Sequence, residues 1–317
     1  MGNWLSTTSR VLVAAATGLG KTNTAIALGM RISAGLDFLH WKGTRPSRVL
    51  YIDGEMSSRL LRQRLLDEAQ RAGQDPAGFY GLSHEDIPNF KPLNTPEGQA
   101  CIEKIVKSIG GIDLLMADSV MCLLAGDMKD EEPWSQTMPW IRSLTKRCIG
   151  QLWLHHTGHD ETKGYGTKTR EWQMDTVLHL ETARRDDTDV SFNLTFRKAR
   201  ERTPATRFDF QDVRVALVND CWEHQLTDSR RPQSIRPQTA KALDALTNVI
   251  ATDQAVALSG GRRSAKAEDW KAECVHMGLI DTEAKAHSAR TLFSKFRREL
   301  VAANRIACEG DFSWLIR

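Results

Sequence analysis

The stretch Ala15-Ala16-Thr17-Gly18-Leu19-Gly20-Lys21-Thr22 constrains this chain more than any other. Upstream, Arg10-Val11-Leu12-Val13-Ala14 reads as a buried strand; downstream, Asn23 to Met30 has the apolar spacing of a helix. A strand, a glycine-rich turn, Lys-Thr and a helix form the context of a phosphate-binding loop. Backbone N–H groups of the turn and of the helix start converge there and favour anionic oxygens. The candidate nucleotide-binding residues are therefore Thr17, Gly18, Leu19, Gly20, Lys21, Thr22 and Asn23. Lys21 brings positive charge to the outer phosphates, and the Thr22 hydroxyl is a Mg²⁺ ligand. Ala15 stands where the pattern usually opens with Gly. A positive φ there would cost about 1 kcal/mol or more.

At 317 residues the chain has room for one large domain and a small one. Its net charge of +3 permits nucleic-acid binding without arguing for it. The six cysteines form no C-x-x-C pair, which fits reduced thiols. No apolar run approaches the ~18–20 residues of a membrane span, and the N-terminus carries no secretory pattern, so a cytoplasmic protein is expected.

Strand-like and helix-like segments alternate over the first two thirds. Val49 to Ile52 reads as a strand, Ser57 to Arg71 as a helix, and Gln99 to Ile109 as another helix. The strand Ile112 to Asp118, a helix near Pro133 to Cys148 and the strand Gln151 to His155 follow. This rhythm predicts a doubly wound, mainly parallel sheet with its site at the carboxyl ends of the strands. Asp175 to Glu181, Val190 to Lys198 and Thr206 to Val218 read as an antiparallel extension. The predicted division is 1–226 for the first domain, 227–238 for a polar linker with Pro232 and Pro237, and 239–317 for a small module. That module reads as helices at Thr239 to Ile250, Ser264 to Met277 and Ala286 to Asn304, then a hairpin from Arg305 to Ile316. Three helices and a final hairpin suggest a winged-helix-like α+β domain.

Leu114-Leu115-Met116-Ala117-Asp118-Ser119 is an apolar strand ending in a carboxylate that can support Mg²⁺ beside the phosphate loop. Tyr51-Ile52-Asp53-Gly54-Glu55 ends another strand with two carboxylates, which would project near the γ-phosphate if this strand lies beside the first. Glu55 is the candidate base that orients the attacking water; Asp53 caps the turn or helps the metal. In Trp153-Leu154-His155-His156-Thr157-Gly158-His159, neighbouring strand residues point to opposite faces, so the pair does not readily share a zinc ion. His156, at the start of the loop, is the better candidate for a hydrogen bond near the γ-phosphate.

Three stretches are candidate contacts to nucleic acid or to a second subunit. The loop Gly158 to Trp172 carries Lys163, Lys168 and Arg170 for a phosphate backbone and Tyr165 for stacking on a base. A solvated loop or one packed on a neighbouring subunit fits it equally. Lys198 and Arg200 share one side of a strand end and could reach a neighbour's γ-phosphate. Arg290, Lys295, Arg297, Arg298 and Arg305 decorate the last long helix and its end, a DNA-docking arrangement, with Arg297 and Arg298 the foremost candidates.

Taken in order, Thr17 to Thr22, Leu50 to Glu55, Met116 to Ser119 and Leu154 to His156 resemble RecA-fold ATPases, and most nearly the RepA-type, DnaB-like hexameric replicative helicases. The likeness spans about residues 10 to 218. It implies an α/β RecA-like P-loop core using ATP and Mg²⁺, with Lys21 and Thr22 on the nucleotide and metal and Asp118 supporting the metal. It further implies that Glu55 activates water, His156 senses the γ-phosphate, and Lys198-Ala199-Arg200 acts on a neighbouring subunit, Arg200 as the finger. Three departures stand out: Ala15, the segment Val120 to Leu124 without the expected arginine-containing stretch, and the extra C-terminal module. The leading expectation is a hexameric DNA helicase acting on single strands. The alternatives are a RadA-like recombination or repair ATPase, and an ATP-switched regulator that binds duplex DNA through its C-terminal domain. The expected partners are DNA, single-stranded or, through the C-terminal domain, duplex, and further copies of the chain in a homo-oligomer, a hexamer.

Overall fold

Strand β1 (Arg10–Ala15) enters the phosphate loop from inside a nine-stranded sheet, flanked on both sides by parallel neighbours. The computed structural model describes residues 1–317 except 74–75, 128–129, 158–168, 184–187, 189, 228–235, 253–254, 259–261, 282–285, 304 and 317, and the backbone alone at 258, 262, 286–288 and 302. It divides into two units, Met1–Thr227 and Asp228–Arg317.

In the first unit, β1 is followed by α1 (Lys21–Ala34), β2 (Val49–Asp53), α2 (Ser58–Ala72), β3 (Phe79–Ser83), α3 (Pro96–Ser108), β4 (Leu114–Asp118) and the single turn α4 (Val120–Leu123). Next come α5 (Glu132–Lys146), β5 (Gly150–His156), the short α6 (Thr169–Gln173), β6 (Thr176–Thr182), β7 (Ser191–Ala199), β8 (Val213–Val218) and β9 (Cys221–Leu226). The sheet order is β3-β2-β4-β5-β1-β6-β7-β8-β9. Its first six strands pair in parallel and the last four antiparallel, an α/β core with an antiparallel extension.

Alternation along the buried strands sorts side chains into two cores, because successive residues point to opposite faces. Val11, Val13, Tyr51, Met116 and Leu154 pack with Ala25, Ile26 and Leu28 of α1 and Leu61 of α2. Leu12, Leu50, Ile52, Leu115 and Trp153 pack with Ile102 of α3 and with Trp134, Met138 and Ile141 of α5. Near-continuous apolar runs in β1, β2 and β4 are what a parallel sheet covered on both faces requires.

Several expectations need correction here. β2 does not lie beside β1, since β4 and β5 intervene. Thr206 to Val218 is not one strand: Arg207–Phe210 is a 3₁₀ turn and β8 starts only at Val213. β3 and β9 had no sequence expectation; β3 is half-exposed with Gly81 at its centre, and β9 is an outer strand with mostly exposed residues.

The second unit holds α7 (Pro237–Ala251), β10 (Val256–Leu258), β11 (Arg262–Lys266), α8 (Ala267–His276), α9 (Ala286–Ala302), β12 (Ile306–Glu309) and β13 (Phe312–Leu315). Its four strands form an antiparallel sheet in the order β10-β11-β13-β12. Leu246, Val249, Trp270, Phe293, Phe296 and Leu300 share its core, and the Trp270 indole donates to the carbonyl of Ala242 at 2.8 Å. The helix expected from Ser264 begins as strand, because Ser264 to Lys266 are paired in β11.

Candidate nucleotide site

The phosphate loop closes with Gly18 at φ +82° and Gly20 at φ +90°, the left-handed region that glycine occupies without steric cost. At Gly20 a side chain would also collide, since a Cβ there would sit 2.6 Å from Cγ1 of Val190. Ala15 is the last residue of β1, fully buried, and is not among the residues with positive φ. The replaced glycine was therefore not needed for backbone freedom in this loop.

Helix α1 starts with no side-chain cap and no acidic residue in its first turn. Its first N–H groups and its positive dipole end are thus left for an external anion. Lys21 is buried at this start, and burial lowers its pKa below that of an ordinary lysine, opposed by the nearby carboxylates of Asp118 and Glu55. Asn23, by contrast, lines a cleft against α2 with Leu60 and Arg64.

Parallel register puts Asp53 opposite Asp118 at the carboxyl ends of β2 and β4. The Thr22 hydroxyl donates to Oδ2 of Asp118 at 2.6 Å, as the pairing of loop and strand end predicts. Oδ2 also accepts the phenol of Tyr51 at 2.7 Å, while Oδ1 is buried with no hydrogen-bond partner among the described residues. Asp53 caps the turn after β2: its Oδ1 accepts the backbone N–H of Glu55 at 2.9 Å and of Met56 at 2.6 Å. Burial pushes its carboxyl up to about 6, although both N–H groups pull the other way and Asp118 adds to the rise.

Although two strands separate β2 from β1, the turn after Asp53 carries Glu55 across to the end of β5. Oε1 of Glu55 lies 2.7 Å from Nε2 of His156 and accepts the Ser119 hydroxyl at 2.7 Å and the Cys122 thiol at 3.6 Å. His156 beside it, with Ser119 and Lys21, holds the Glu55 carboxyl down at about 2, against the effect of burial. A carboxylate of that acidity only accepts hydrogen bonds, so Nε2 of His156 carries the proton. Nδ1 lies 3.3 Å from Thr17 Oγ1, and Lys21 Nζ stands 3.4 Å from Nδ1 and 3.2 Å from Nε2. The structure thus gathers Thr17, Lys21, Thr22, Glu55, Asp118 and His156. Sequence reasoning missed Tyr51 and Ser119, which bind two of these carboxylates. Ser119 was adjacent to a flagged residue, but a tyrosine inside an apolar strand gave no signal.

Mg²⁺ fits these donors. Thr22 Oγ1 and Asp118 would supply hard oxygen donors, and the unpartnered Oδ1 leaves lone pairs for a metal or its water shell. Among the described residues no cluster of three or more His, Cys, Asp or Glu could hold a metal alone, so phosphate oxygens would complete the shell. His155 turns away from His156 into the protein and its Nε2 lies 3.1 Å from Arg170, so the pair does not share a metal.

The nucleic-acid and subunit candidates fare differently. Lys163, Tyr165 and Lys168 lie outside the described residues, as does His159. Arg170 is only 1 % exposed and packs against His155, so it is no surface contact for DNA; its charge is turned inward because α6 lays it against β5. Lys198 donates to the carbonyls of Glu171 and Trp172 at 2.7 and 2.8 Å, closing the end of α6. Arg200 donates to the Trp172 carbonyl at 2.9 Å and pairs with Asp175 at 3.4 Å. Asp175 also binds Arg10 at the start of β1, the opposite end of that strand from the phosphate loop. On α9, Arg298 is exposed, whereas Arg297 is half-buried and donates to Cys308 Sγ at 3.2 Å and to the Gly310 carbonyl at 2.6 Å. Arg297 therefore ties the helix to the β12–β13 turn within its own unit.

A family profile described as an AAA domain matches residues 1–162, which include the phosphate loop, Glu55, Asp118 and His156. No curated protein matches the chain. Among solved structures, the crystal structure of a KaiC-like protein from the hyperthermophilic archaeon Pyrococcus horikoshii OT3 is similar, at 16% sequence identity over 69% of this chain and 90% of that one, with a TM-score of 0.46.

Proposed function

The chain belongs to the AAA domain family, and on that premise we propose that this P-loop ATPase works on DNA as a ring of identical subunits, in the manner of a RepA-type helicase. The observation that carries the reading is the His156 bridge. One ring contacts both the phosphate-loop lysine and the carboxylate suited to direct water. A γ-phosphate drawn to Lys21 competes for that ring, so nucleotide state is felt at the end of β5. Bound Mg²⁺ would supply charge for the phosphates, held by Thr22 and Asp118. Glu55, kept ionised, can orient the attacking water through a hydrogen bond.

A subunit interface is favoured by the position of Lys198 and Arg200. They sit at the Arg10 end of β1, a strand of six residues, roughly 17 Å from the loop at its other end. They are out of reach of their own nucleotide, and can serve hydrolysis only on a neighbouring copy.

A second reading, the ATP-switched duplex binder, is favoured by α9. Arg290 and Arg298 are exposed on the side away from Phe293, Phe296 and Leu300, and with Lys295 they make no ion pair among the described residues. Such unpaired cations along one helix suit a phosphate backbone.

The deciding experiment is steady-state ATP hydrolysis by wild type, Lys21→Ala and Glu55→Gln, with and without single-stranded DNA. Stimulation by DNA that both variants lose supports the motor. Hydrolysis indifferent to single strands, with duplex binding that survives Glu55→Gln, supports the switch. Absence of hydrolysis under every condition overturns the enzyme reading.

A further inference from the structure

The Asp118 carboxylate is gripped on a single oxygen. Oδ2 takes the Thr22 hydroxyl at 2.6 Å and the Tyr51 phenol at 2.7 Å, and Oδ1 takes nothing among the described residues. Tyr51 is fully buried in the middle of β2, its ring stacked on Phe79 at a centroid distance of 6.1 Å. Among the described residues its hydroxyl bonds to Asp118 alone. Apolar packing explains the ring but not the hydroxyl, because a buried phenol costs free energy unless it is bonded, and phenylalanine would fill the same space.

We propose that Tyr51 is a positioning residue for the metal–nucleotide complex: its phenol clamps Asp118 so that Oδ1 faces the metal shell and Thr22 is oriented toward the ion. With Thr22 alone, the carboxylate could turn about its terminal torsion, which has broad minima. A second donor on Oδ2, coming from the neighbouring strand, removes that freedom and leaves the other oxygen without a partner among the described residues. The same grip acts on Thr22. A hydroxyl whose proton is committed to Oδ2 has only its lone pairs left, and lone pairs are what Mg²⁺ needs. Pre-organisation of this kind is expected to appear as metal-dependent affinity rather than as affinity for the nucleotide in general.

This inference rests on the nucleotide reading above, and calorimetric titration of ATP separates the two. Wild type, Tyr51→Phe, Asp118→Asn and the double variant are each titrated with Mg²⁺ and with a chelator in its place. Wild type is expected to bind more tightly with Mg²⁺. Tyr51→Phe should lose about threefold to tenfold of that gain, the size of one hydrogen bond, while its affinity in chelator is unchanged. In the Asp118→Asn background the phenol should make no further difference. Tyr51→Phe that keeps the full Mg²⁺ gain overturns the inference, as does one that weakens binding equally with and without metal, since that marks a role in packing alone. Wild type that binds no ATP in either condition overturns the nucleotide reading itself, and this inference with it.

Discussion

Nε2 of His156 lies 2.7 Å from Oε1 of Glu55, joining the last residue of β5 to the turn after β2 across the width of β4. The same ring stands 3.2 Å from the Lys21 ammonium, so the Glu55 carboxylate and the phosphate-loop lysine share one neighbour. Removing the ring should separate chemistry from binding. His156→Ala is expected to lower kcat by about 10–100-fold while the Kd for ATP stays within about threefold, measured by steady-state kinetics and equilibrium titration. A weaker Kd with kcat unchanged would place His156 in binding alone.

Two loop substitutions test the backbone, and the first should behave oppositely to the usual expectation for the motif. Ala15→Gly restores the motif's first glycine yet should not improve ATP binding, and should destabilise the protein by about 0.5–1 kcal/mol because an extended, buried residue gains only unfolded-state freedom. Gly20→Ala should cost about 1–2 kcal/mol in backbone strain alone, with more from the contact with Val190, and should abolish binding. Thermal melts with and without ATP test both.

Asp53 makes stability depend on pH. Its folded pKa of about 6 lies above the ordinary 3.8, so the folded state holds the proton more tightly. The stabilising contribution is complete below about 3.8 and is lost as pH rises through 6. Asp53→Asn keeps an oxygen for the two N–H groups and cannot ionise. Its melting temperature relative to wild type should therefore rise between pH 4 and pH 7 in metal-free, nucleotide-free protein. A difference independent of pH would remove the buried carboxylate from this account.

If Arg200 acts across an interface, two dead variants should rescue each other. Arg200→Ala keeps an intact phosphate loop and Lys21→Ala keeps an intact finger. Mixed before assay, they should recover part of the hydrolysis that neither shows alone, since some interfaces pair a good loop with a good finger. Mixtures no more active than their parents would count against action in trans.

Arg170 and Arg298 should part company. Arg170→Gln removes a buried guanidinium and its contact with His155, and should cost about 1–3 kcal/mol of stability. Arg298→Gln should leave the melting temperature unchanged and reduce the salt slope of duplex binding by about 1 if α9 meets a phosphate backbone.

The residue order determined which local pieces exist. Gly18 and Gly20 before Lys21 dictated a tight turn into an uncapped helix start, and the apolar runs of β1, β2 and β4 dictated strands covered on both faces, so the alternating α/β core and most of the candidate site could be read directly. What the order did not carry was adjacency across the sheet. Strand sequence 1-2-4-5 says nothing of the spatial order β2-β4-β5-β1, and only that order, with its parallel register, sets Asp53 opposite Asp118 and carries Glu55 to His156. Tyr51 and Arg170 show the same limit from two sides. A tyrosine in an apolar strand looks like core and an arginine after a polar loop looks like surface, until packing turns the phenol onto a carboxylate and the guanidinium inward. Backbone conformation and hydrophobic alternation are local properties of a chain; which polar group meets which is decided by contacts between residues far apart in sequence, and those exist only once the sheet has closed.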